Sequence, residues 1–237
     1  MTAQTFLVNF GLTLAAALAA LWLPVASPSW MARAGLPTAA QFVVGIVALD
    51  FAFGYFAHRA MHVSPTMWKF HRVHHSDPFV DVTTTYRTHP FESAWRYSCM
   101  LVPIWVLGIP AAAVVVYRAL SAINGVFEHA NIRVRPSVDA AVSRLWVTPN
   151  MHKVHHSRFA SETDTNYGNL FSLHDRLFGT FTPSERAFSV AYGLDDEDPA
   201  EVRSFRDLLT MPWRRQGNAR DRKGVAAGVP LATARSI

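Results

Sequence analysis

Histidine is the residue type whose spacing points most directly to chemistry in this sequence. Ten of the 11 histidines lie between residues 58 and 156, and eight of them form three short clusters. The clusters are His58-Arg-Ala-Met-His62, His71-Arg-Val-His74-His75 and His152-Lys-Val-His155-His156. On an α-helix, residues three or four positions apart share one face, so each cluster can direct two or three imidazoles at a common point. Neutral imidazole is the commonest metal ligand in proteins, and eight imidazoles exceed the four that one tetrahedral zinc ion takes. The pattern therefore predicts two metal ions.

Three further histidines stand alone. His129 ends one apolar segment, and His89 lies shortly before another, so both are predicted to return to the level of the clusters. Both are added to the predicted ligand set; the alternative for each is a buried, hydrogen-bonded histidine that binds no metal. His174 lies in a short polar and aromatic segment and is predicted to pack in a turn without binding metal.

Apolar segments must position these clusters. A long apolar stretch at 97–127 is interrupted by Gly108-Ile109-Pro110, which favours two helices joined by a tight turn. The first apolar segment, residues 6–26, could also be a signal peptide, but no positively charged residues precede its apolar stretch, as they do in signal peptides. A helix needs about twenty apolar residues to cross the hydrocarbon core. Membrane spans are predicted at residues 6–26, 38–57, 94–107 and 111–128.

The sequence thus predicts an all-α integral membrane bundle of about four transmembrane helices with a histidine-rich cytoplasmic cap. Arg33 is the only Lys or Arg in the segment predicted to lie outside the cell. Residues 58–96 carry five Lys or Arg, and residues 129–237 carry fifteen. Basic residues accumulate on the cytoplasmic side of membrane proteins, which places the clusters there. Residues 1–213 are predicted to form a single membrane-embedded domain, and 214–237 a disordered basic tail against anionic lipid.

The overall composition agrees with this fold class. Half of the 237 residues are hydrophobic and only 16% are charged, which excludes a disordered chain and an ordinary water-soluble enzyme. Cys99 is the sole cysteine, so an internal disulfide and a cysteine-ligated iron–sulfur cluster are excluded. The net charge of +5 is attributed to a membrane face, and no nucleic-acid partner is predicted.

The three clusters, in this order and with apolar segments between them, resemble the fatty acid hydroxylase/sterol desaturase superfamily over about residues 40–182. Five further segments carry the resemblance. They are Leu49-Asp50 upstream of Tyr55 and His58-Arg59, Arg87-Thr88-His89-Pro90-Phe91-Glu92, Glu128-His129-Ala130-Asn131, Asn166-Tyr167-Gly168-Asn169 and Asp175-Arg176-Leu177-Phe178-Gly179-Thr180. One departure is His174, at a position where related sequences commonly have Trp.

The resemblance implies a non-haem centre of two iron ions that activates O2 and hydroxylates or desaturates a C–H bond of a lipid. The lipid would be a fatty acyl chain, a sterol or a related isoprenoid. Purified protein can hold zinc in place of iron, because zinc competes well for imidazole sites. The implied metal ligands are His58, His62, His71, His74, His75, His152, His155 and His156, with His129 and His89 as the ninth and tenth.

Two further predictions concern partners and Asp50. No G-x-G-x-x-G or C-x-x-C-H motif is present, so the electrons are predicted to come from an external reductant such as a ferredoxin. Asp50 lies within a predicted span, where a carboxylate is costly unless it is paired or neutral. It is predicted to have a structural or ligand-orienting hydrogen-bonding role, with a ligand histidine of another helix or Arg118 as candidate partners. The alternative function is a membrane zinc-dependent hydrolase or a zinc-binding membrane protein, although H-E-x-x-H is absent.

Overall fold

The computed structural model describes residues 2–26, 30–197 and 204–214. Within these ranges the regular structure is helical, and the only extended pairing is an isolated bridge between Trp146 and Phe171. The all-α prediction is therefore confirmed. The predicted basic tail lies outside the described residues, apart from Arg214.

Four long helical segments form the body of the fold, and two of them contain a π-helical turn. Helix α3 (Thr38–Leu49) passes through a π-turn at Asp50–Phe56 into α4 (Ala57–Val63), and α6 (Pro90–Pro103) ends in a π-turn at Ile104–Gly108. A short helix, α2 (Trp30–Arg33), precedes α3. The long segments consist of α1 (Thr2–Ala26), α3 (Thr38–Leu49) with α4 (Ala57–Val63), α6 (Pro90–Pro103) and α7 (Ala111–Glu128).

Three helical segments within the described ranges are long and apolar enough to cross a membrane. They are Ala3–Trp22, Thr38–Val63 and Ala111–Glu128. The predicted boundaries 111–128 agree with α7. The predicted span at 94–107 is not among the helical segments that are long and apolar enough to cross a membrane. Helix α6 begins earlier, at Pro90, and its first turns carry the ionisable residues Glu92 and Arg96. The four-span topology therefore remains a prediction.

Small and aromatic side chains fill the contacts between these helices. Helix α1 packs on α6 and α7, and α3 packs on α7. At Gly45 a Cβ atom would lie 2.8 Å from Ile109 Cγ2, so α3 approaches the α6–α7 turn too closely for a larger residue. The buried core of this region consists of Ala16, Ala20, Met31, Leu49, Phe53, Tyr97, Met100, Ile104, Ile109, Ala113, Val114, Tyr117 and Leu170.

Many large apolar side chains on the same helices face outward. Trp22 on α1 is 74% exposed and Ile123 on α7 is 67% exposed, and Trp105 and Val43 are similarly uncovered. An apolar surface of this extent on a water-soluble protein would be an aggregation or interaction site. On helices of this length it indicates contact with lipid.

Two of the three histidine clusters lie on shorter helices, α5 (Pro65–His75) and α9 (Pro149–His155). Both begin with a proline, directly after Ser64 and Thr148, whose hydroxyl oxygens accept hydrogen bonds from the backbone N–H of Met67 and Met151. A proline after a Ser or Thr cap is a strong start signal for a helix. The short helices are α5 (Pro65–His75), α8 (Pro136–Val142), α9 (Pro149–His155), α10 (Ala160–Thr163), α11 (Leu173–Leu177) and α12 (Phe205–Thr210).

Candidate metal centre

Nine histidines converge in two adjacent buried groups. In each group one ring nitrogen of every member lies within 4.8 Å of the corresponding nitrogens of the others. The five-histidine group consists of His58, His62, His71, His75 and His155. The four-histidine group consists of His74, His129, His152 and His156.

Helix periodicity explains how neighbouring residues of one cluster reach different groups. On α5, His71 and His75 are four residues apart and share one face, whereas His74 is turned toward the second group. Helix α9 does the same, with His155 in one group and His152 in the other. Both helices therefore lie between the groups and serve both.

The spacing of the ring nitrogens fits ligands that surround one ion. His58 Nε2 and His71 Nε2 are 3.0 Å apart, and His129 Nε2 lies 3.0 Å from His152 Nε2 and 3.1 Å from His156 Nε2. Two ligands at a metal–nitrogen distance of about 2.1 Å are ~3.0 Å apart at a right angle and ~3.4 Å apart in a tetrahedron. A single Nε2 carries one proton or one lone pair, so hydrogen bonds cannot satisfy all the close neighbours of His129.

Unpartnered nitrogens support the same conclusion. The Nε2 atoms of His62, His75 and His155 are buried and have no hydrogen-bond partner. A buried polar atom without a partner is costly, and a metal ion would supply the missing interaction. The residues present therefore fit two imidazole-bound metal ions.

Backbone carbonyls hold several outer ring nitrogens. His58 Nδ1 lies 2.8 Å from the Tyr167 carbonyl oxygen, and His155 Nδ1 lies 2.7 Å from that of Thr165. His129 Nδ1 lies 2.7 Å from the Gly125 carbonyl oxygen. Because a carbonyl only accepts, Nδ1 carries the proton in each of these rings, which leaves the Nε2 lone pair directed at the centre.

Carboxylates hold two other rings. His71 Nδ1 lies 3.0 Å from Glu92 Oε2, and both side chains are buried. His62 Nδ1 lies 3.2 Å from Asp164 Oδ1, but the Asp164 side chain is 55% exposed. Removal of Glu92 should therefore affect the centre more than removal of Asp164.

Burial favours the uncharged form of imidazoles in both groups. Desolvation is the largest cause that lowers the pKa of His75, His155 and His156 well below its usual value, and the neighbouring imidazoles lower it further. Desolvation also lowers the pKa of His129 to about 4. Neutral imidazoles are the form that binds metal, so these rings are ready to bind at physiological pH.

Glu128 is a carboxylate at the edge of the four-histidine group. Its Oε1 atom lies 3.9 Å from His152 Nε2, and its two oxygens accept hydrogen bonds from the side-chain amides of Asn124 and Asn169, each at 3.3 Å. The sequence argument gave no role to Glu92 or Glu128. The available signal was an acidic residue at either end of an apolar segment, next to an isolated histidine.

The structure does not bring His89 to either group. Its Nδ1 atom accepts a hydrogen bond from the backbone N–H of Phe91 at 3.1 Å, which caps the start of α6. Its ring packs against Phe70 and Trp213, with centroids 5.0 Å and 5.9 Å apart. The geometry favours the alternative of a hydrogen-bonded histidine that binds no metal.

His174 and Asp50 form a separate buried pair. Asp50 Oδ2 lies 3.4 Å from His174 Nε2, and the two Asp50 oxygens accept hydrogen bonds from the backbone N–H groups of Leu170 and Phe171, at 3.1 Å and 3.0 Å. Neither candidate partner of Asp50, a ligand histidine or Arg118, contacts it, and its hydrogen bonds favour the structural role among the two predicted. Asp50 instead fixes the segment that includes Tyr167, whose carbonyl oxygen holds His58.

The Asp50→Asn variant is expected to unfold at a lower temperature while each folded chain keeps its metal. The asparagine amide group would point a donor at Leu170 or Phe171, and an unsatisfied buried donor costs about 1–3 kcal/mol. Thermal unfolding and metal content per folded chain are to be measured together. Glu185→Gln, which removes an exposed carboxylate, serves as the control. Unchanged stability of the Asp50 variant would refute this anchoring role.

A cavity of about 330 Å³ connects the membrane helices with the centre. Its walls come from α1, α6, α7 and the segment before α6, and it reaches His58, His74, His129 and His152. Phe6, Phe10, Val115 and Ala119 give it an apolar side. Ligand cavities of this size and mixed lining are common in enzymes.

Comparison with known proteins gives one family and several relatives. The sequence profile of the fatty acid hydroxylase family matches residues 42–180. The ornithine lipid hydroxylase OlsE of Rhizobium tropici is 31% identical over 181 residues, which cover 76% of this chain and 53% of that protein. The alkylglycerol monooxygenase of Caenorhabditis elegans is 31% identical over 149 residues, which cover 61% of this chain and 28% of that protein.

The human alkylglycerol monooxygenase is 27% identical over 152 residues, which cover 62% of this chain and 32% of that protein. The chain thus spans about half the length of the first of these relatives and about a third of the others. No solved structure matches the chain. The matched region contains all nine converging histidines.

Proposed function

The chain belongs to the fatty acid hydroxylase family, and from this premise we propose that it hydroxylates a C–H bond of a membrane lipid. The reaction would consume O2, two electrons and two protons, place one oxygen atom in the lipid and release the other as water, and the centre would hold two iron ions. The observation that carries the proposal is the pair of adjacent, buried histidine groups with five and four members. Zinc in structural sites takes four ligands, so a five-histidine group suits an ion of higher coordination number better.

When bound, the iron ions would supply the O2 activation that the oxidation of an unactivated C–H bond requires. The residues of this chain contribute position and exclusion of water. All nine histidines are buried, and the carbonyl oxygens of Tyr167, Thr165 and Gly125 fix three of the rings. The cavity leads from the membrane helices to both groups and has an apolar side, so a lipid chain can reach the centre between these helices.

An external protein supplies the electrons in this proposal. Arg133 and Arg135 are exposed on the loop between α7 and α8, close in sequence to His129. A basic surface near the centre attracts an acidic partner and accelerates its association. A ferredoxin or a similar small reductant has the chemistry that this surface requires.

The function is tested by the fate of oxygen and by the metal content. The protein is expressed in host cells in iron-rich medium, and the lipids of these cells are extracted after growth under isotopically labelled O2. We expect about two iron ions per purified chain and a host lipid that gains one labelled oxygen atom, which is absent from the His155→Ala strain. Zinc alone in an active protein, or a product oxygen derived from water, would favour the zinc-hydrolase alternative and refute this one.

The centre is proposed to face the cytoplasm. In a Cys99→Ala background, which removes the sole cysteine, single cysteines are introduced at the exposed positions Ala34 and Ser189. An impermeant thiol reagent added to whole cells should label Ala34→Cys and leave Ser189→Cys unlabelled until the membrane is opened. The reverse pattern would show that the charge distribution misled the assignment.

A further inference from the structure

Arg118 is a buried cation on the wall of the cavity. It lies on α7, is 9% exposed, and lines the cavity together with Ser121 and Phe53. Its Nε atom donates a hydrogen bond to Tyr97 Oη at 3.1 Å, and its Nη1 atom donates one to Ser121 Oγ at 3.0 Å. The guanidinium group lies over the Phe53 ring, with Cζ 4.0 Å from the ring centroid.

No carboxylate within the described residues pairs with Arg118. The other cavity arginine, Arg96, has a partner, because its Nε atom lies 3.1 Å from Glu92 Oε1. The carboxylate of Asp50 already has partners, because it accepts hydrogen bonds from the Tyr117 hydroxyl and two backbone N–H groups and lies 3.4 Å from His174 Nε2. In the described part of the chain, Nη2 of Arg118 makes no hydrogen bond and no carboxylate oxygen lies within the 4.0 Å of an ion pair.

This arrangement is expensive unless an anion completes it. A guanidinium group stays charged in proteins, and burying an unpaired charge carries a large desolvation cost. Contact with the Phe53 and Tyr97 rings offsets only part of that cost, since a desolvated cation–π contact contributes about 2 kcal/mol. The neutral hydroxyls of Tyr97 and Ser121 supply no negative charge.

The remainder of the cavity matches an amphiphile. Phe6, Phe10, Val115, Ala119 and Ala122 form an apolar wall beside the guanidinium group. A fully apolar ligand would leave the cation unpaired, and a small hydrophilic anion would leave this wall uncovered. An anionic head with a hydrocarbon chain satisfies both parts.

We propose that Arg118 binds the anionic group, a carboxylate or a phosphate, of the lipid substrate. A guanidinium group forms charge-assisted hydrogen bonds with either anion, and no hydrogen bond to the described residues occupies the two N–H groups of Arg118 Nη2. Calling the bound lipid a substrate rests on the proposed hydroxylase function, whereas the binding of the anion does not.

The position of Arg118 also bears on where oxidation takes place. Its guanidinium group reaches Ser121, which lies eight residues before His129 on the same helix. At 1.5 Å per residue this is about 12 Å along the axis. An anion at Arg118 is therefore displaced along α7 from His129, so the proposal assigns oxidation to a carbon of the chain and not to the anionic group itself.

The test compares ligands that share a chain and differ in the head group. The full-length protein, purified in an uncharged detergent, is titrated with oleate, oleyl phosphate or oleyl alcohol, and bound ligand is counted by native mass spectrometry. The wild type should retain one oleate or one oleyl phosphate per chain and bind oleyl alcohol at least tenfold more weakly. The stronger of the two anions identifies the head group.

Variants assign that preference to Arg118. Arg118→Gln should weaken anion binding at least tenfold and leave oleyl alcohol binding unchanged, Arg118→Lys should retain part of the affinity, and Arg144→Gln, at an exposed position, should bind as the wild type does. Thermal unfolding shows whether each variant is folded.

If Arg118→Gln does not fold, the wild-type comparison still decides. Equal retention of oleate and oleyl alcohol by the wild type would overturn the proposal, as would a folded Arg118→Gln that binds the anions normally. Because binding is read without turnover, an Arg118-dependent anion site in a protein that hydroxylates nothing would refute the proposed function and leave this inference intact.

Discussion

Substituting His129 with alanine is expected to reduce the metal content from two ions per chain to one or fewer and to abolish lipid hydroxylation. His129 is the hub of the four-histidine group, since its Nε2 atom lies within 3.2 Å of the Nε2 atoms of His74, His152 and His156. Alanine leaves three imidazoles around a gap. Metal content by elemental analysis and turnover with a chemical reductant measure the two effects.

His89→Ala is the matched control, because it removes a buried histidine that lies outside both groups. It should keep its metal and turnover and lose about 0.5–2 kcal/mol of stability, the usual cost of removing a helix cap. His89→Asn, which can cap α6 in the same way, should recover that loss. A folded His89→Ala protein that lacks metal would show that the ligand set extends beyond the nine.

Glu92→Gln is expected to lower hydroxylation, or the affinity for metal, by about 10–100-fold, the usual effect of removing a partner that orients a metal ligand. Glu92 Oε2 accepts a hydrogen bond from His71 Nδ1 at 3.0 Å, and Glu92 Oε1 accepts one from Arg96 Nε at 3.1 Å. The neutral amide weakens the hold on the imidazole and leaves Arg96 without its buried counter-charge. Metal titration and turnover on the folded variant test this expectation.

Asp164→Asn removes the corresponding carboxylate from His62 and provides the comparison. Because the Asp164 side chain is 55% exposed, solvent screens its interaction with the imidazole. Its removal should cost less than about fivefold, in line with the small contribution of exposed ion pairs. If metal affinity and turnover fall equally in both variants, burial does not determine how strongly a carboxylate supports the centre.

Two sequence features allowed the convergence of the clusters to be predicted: helical periodicity within each cluster, and the apolar segments that return the clusters to one level. His58 and His62, or His71 and His75, share a face on any α-helix. The division into two groups could not be predicted, since it depends on how α5 crosses α4 and α9. That crossing angle is set by packing across the whole fold.

His89 shows where reasoning from the sequence reached its limit. Its position before an apolar segment predicted that it returns to the level of the clusters, but that level does not fix the direction in which the side chain points. Pro90 starts α6 at that point, and a residue directly before a helix turns its side chain back toward the first backbone N–H groups.

The contact of Asp50 with Leu170 and Phe171 spans about 120 positions of sequence, and no local pattern indicates it.

The placement of α5 and α9 between the two histidine groups has a consequence for how the protein acquires its metal. Each helix supplies ligands to both groups, so an ion that binds in one group fixes the rotation of the helices that present the ligands of the other. Binding of the first ion therefore orders the helices before the second ion binds. The second ion loses less conformational entropy and binds more tightly, which is positive cooperativity. A metal-free protein titrated with iron should pass to the doubly loaded state in one steep step, with few singly loaded chains at the midpoint.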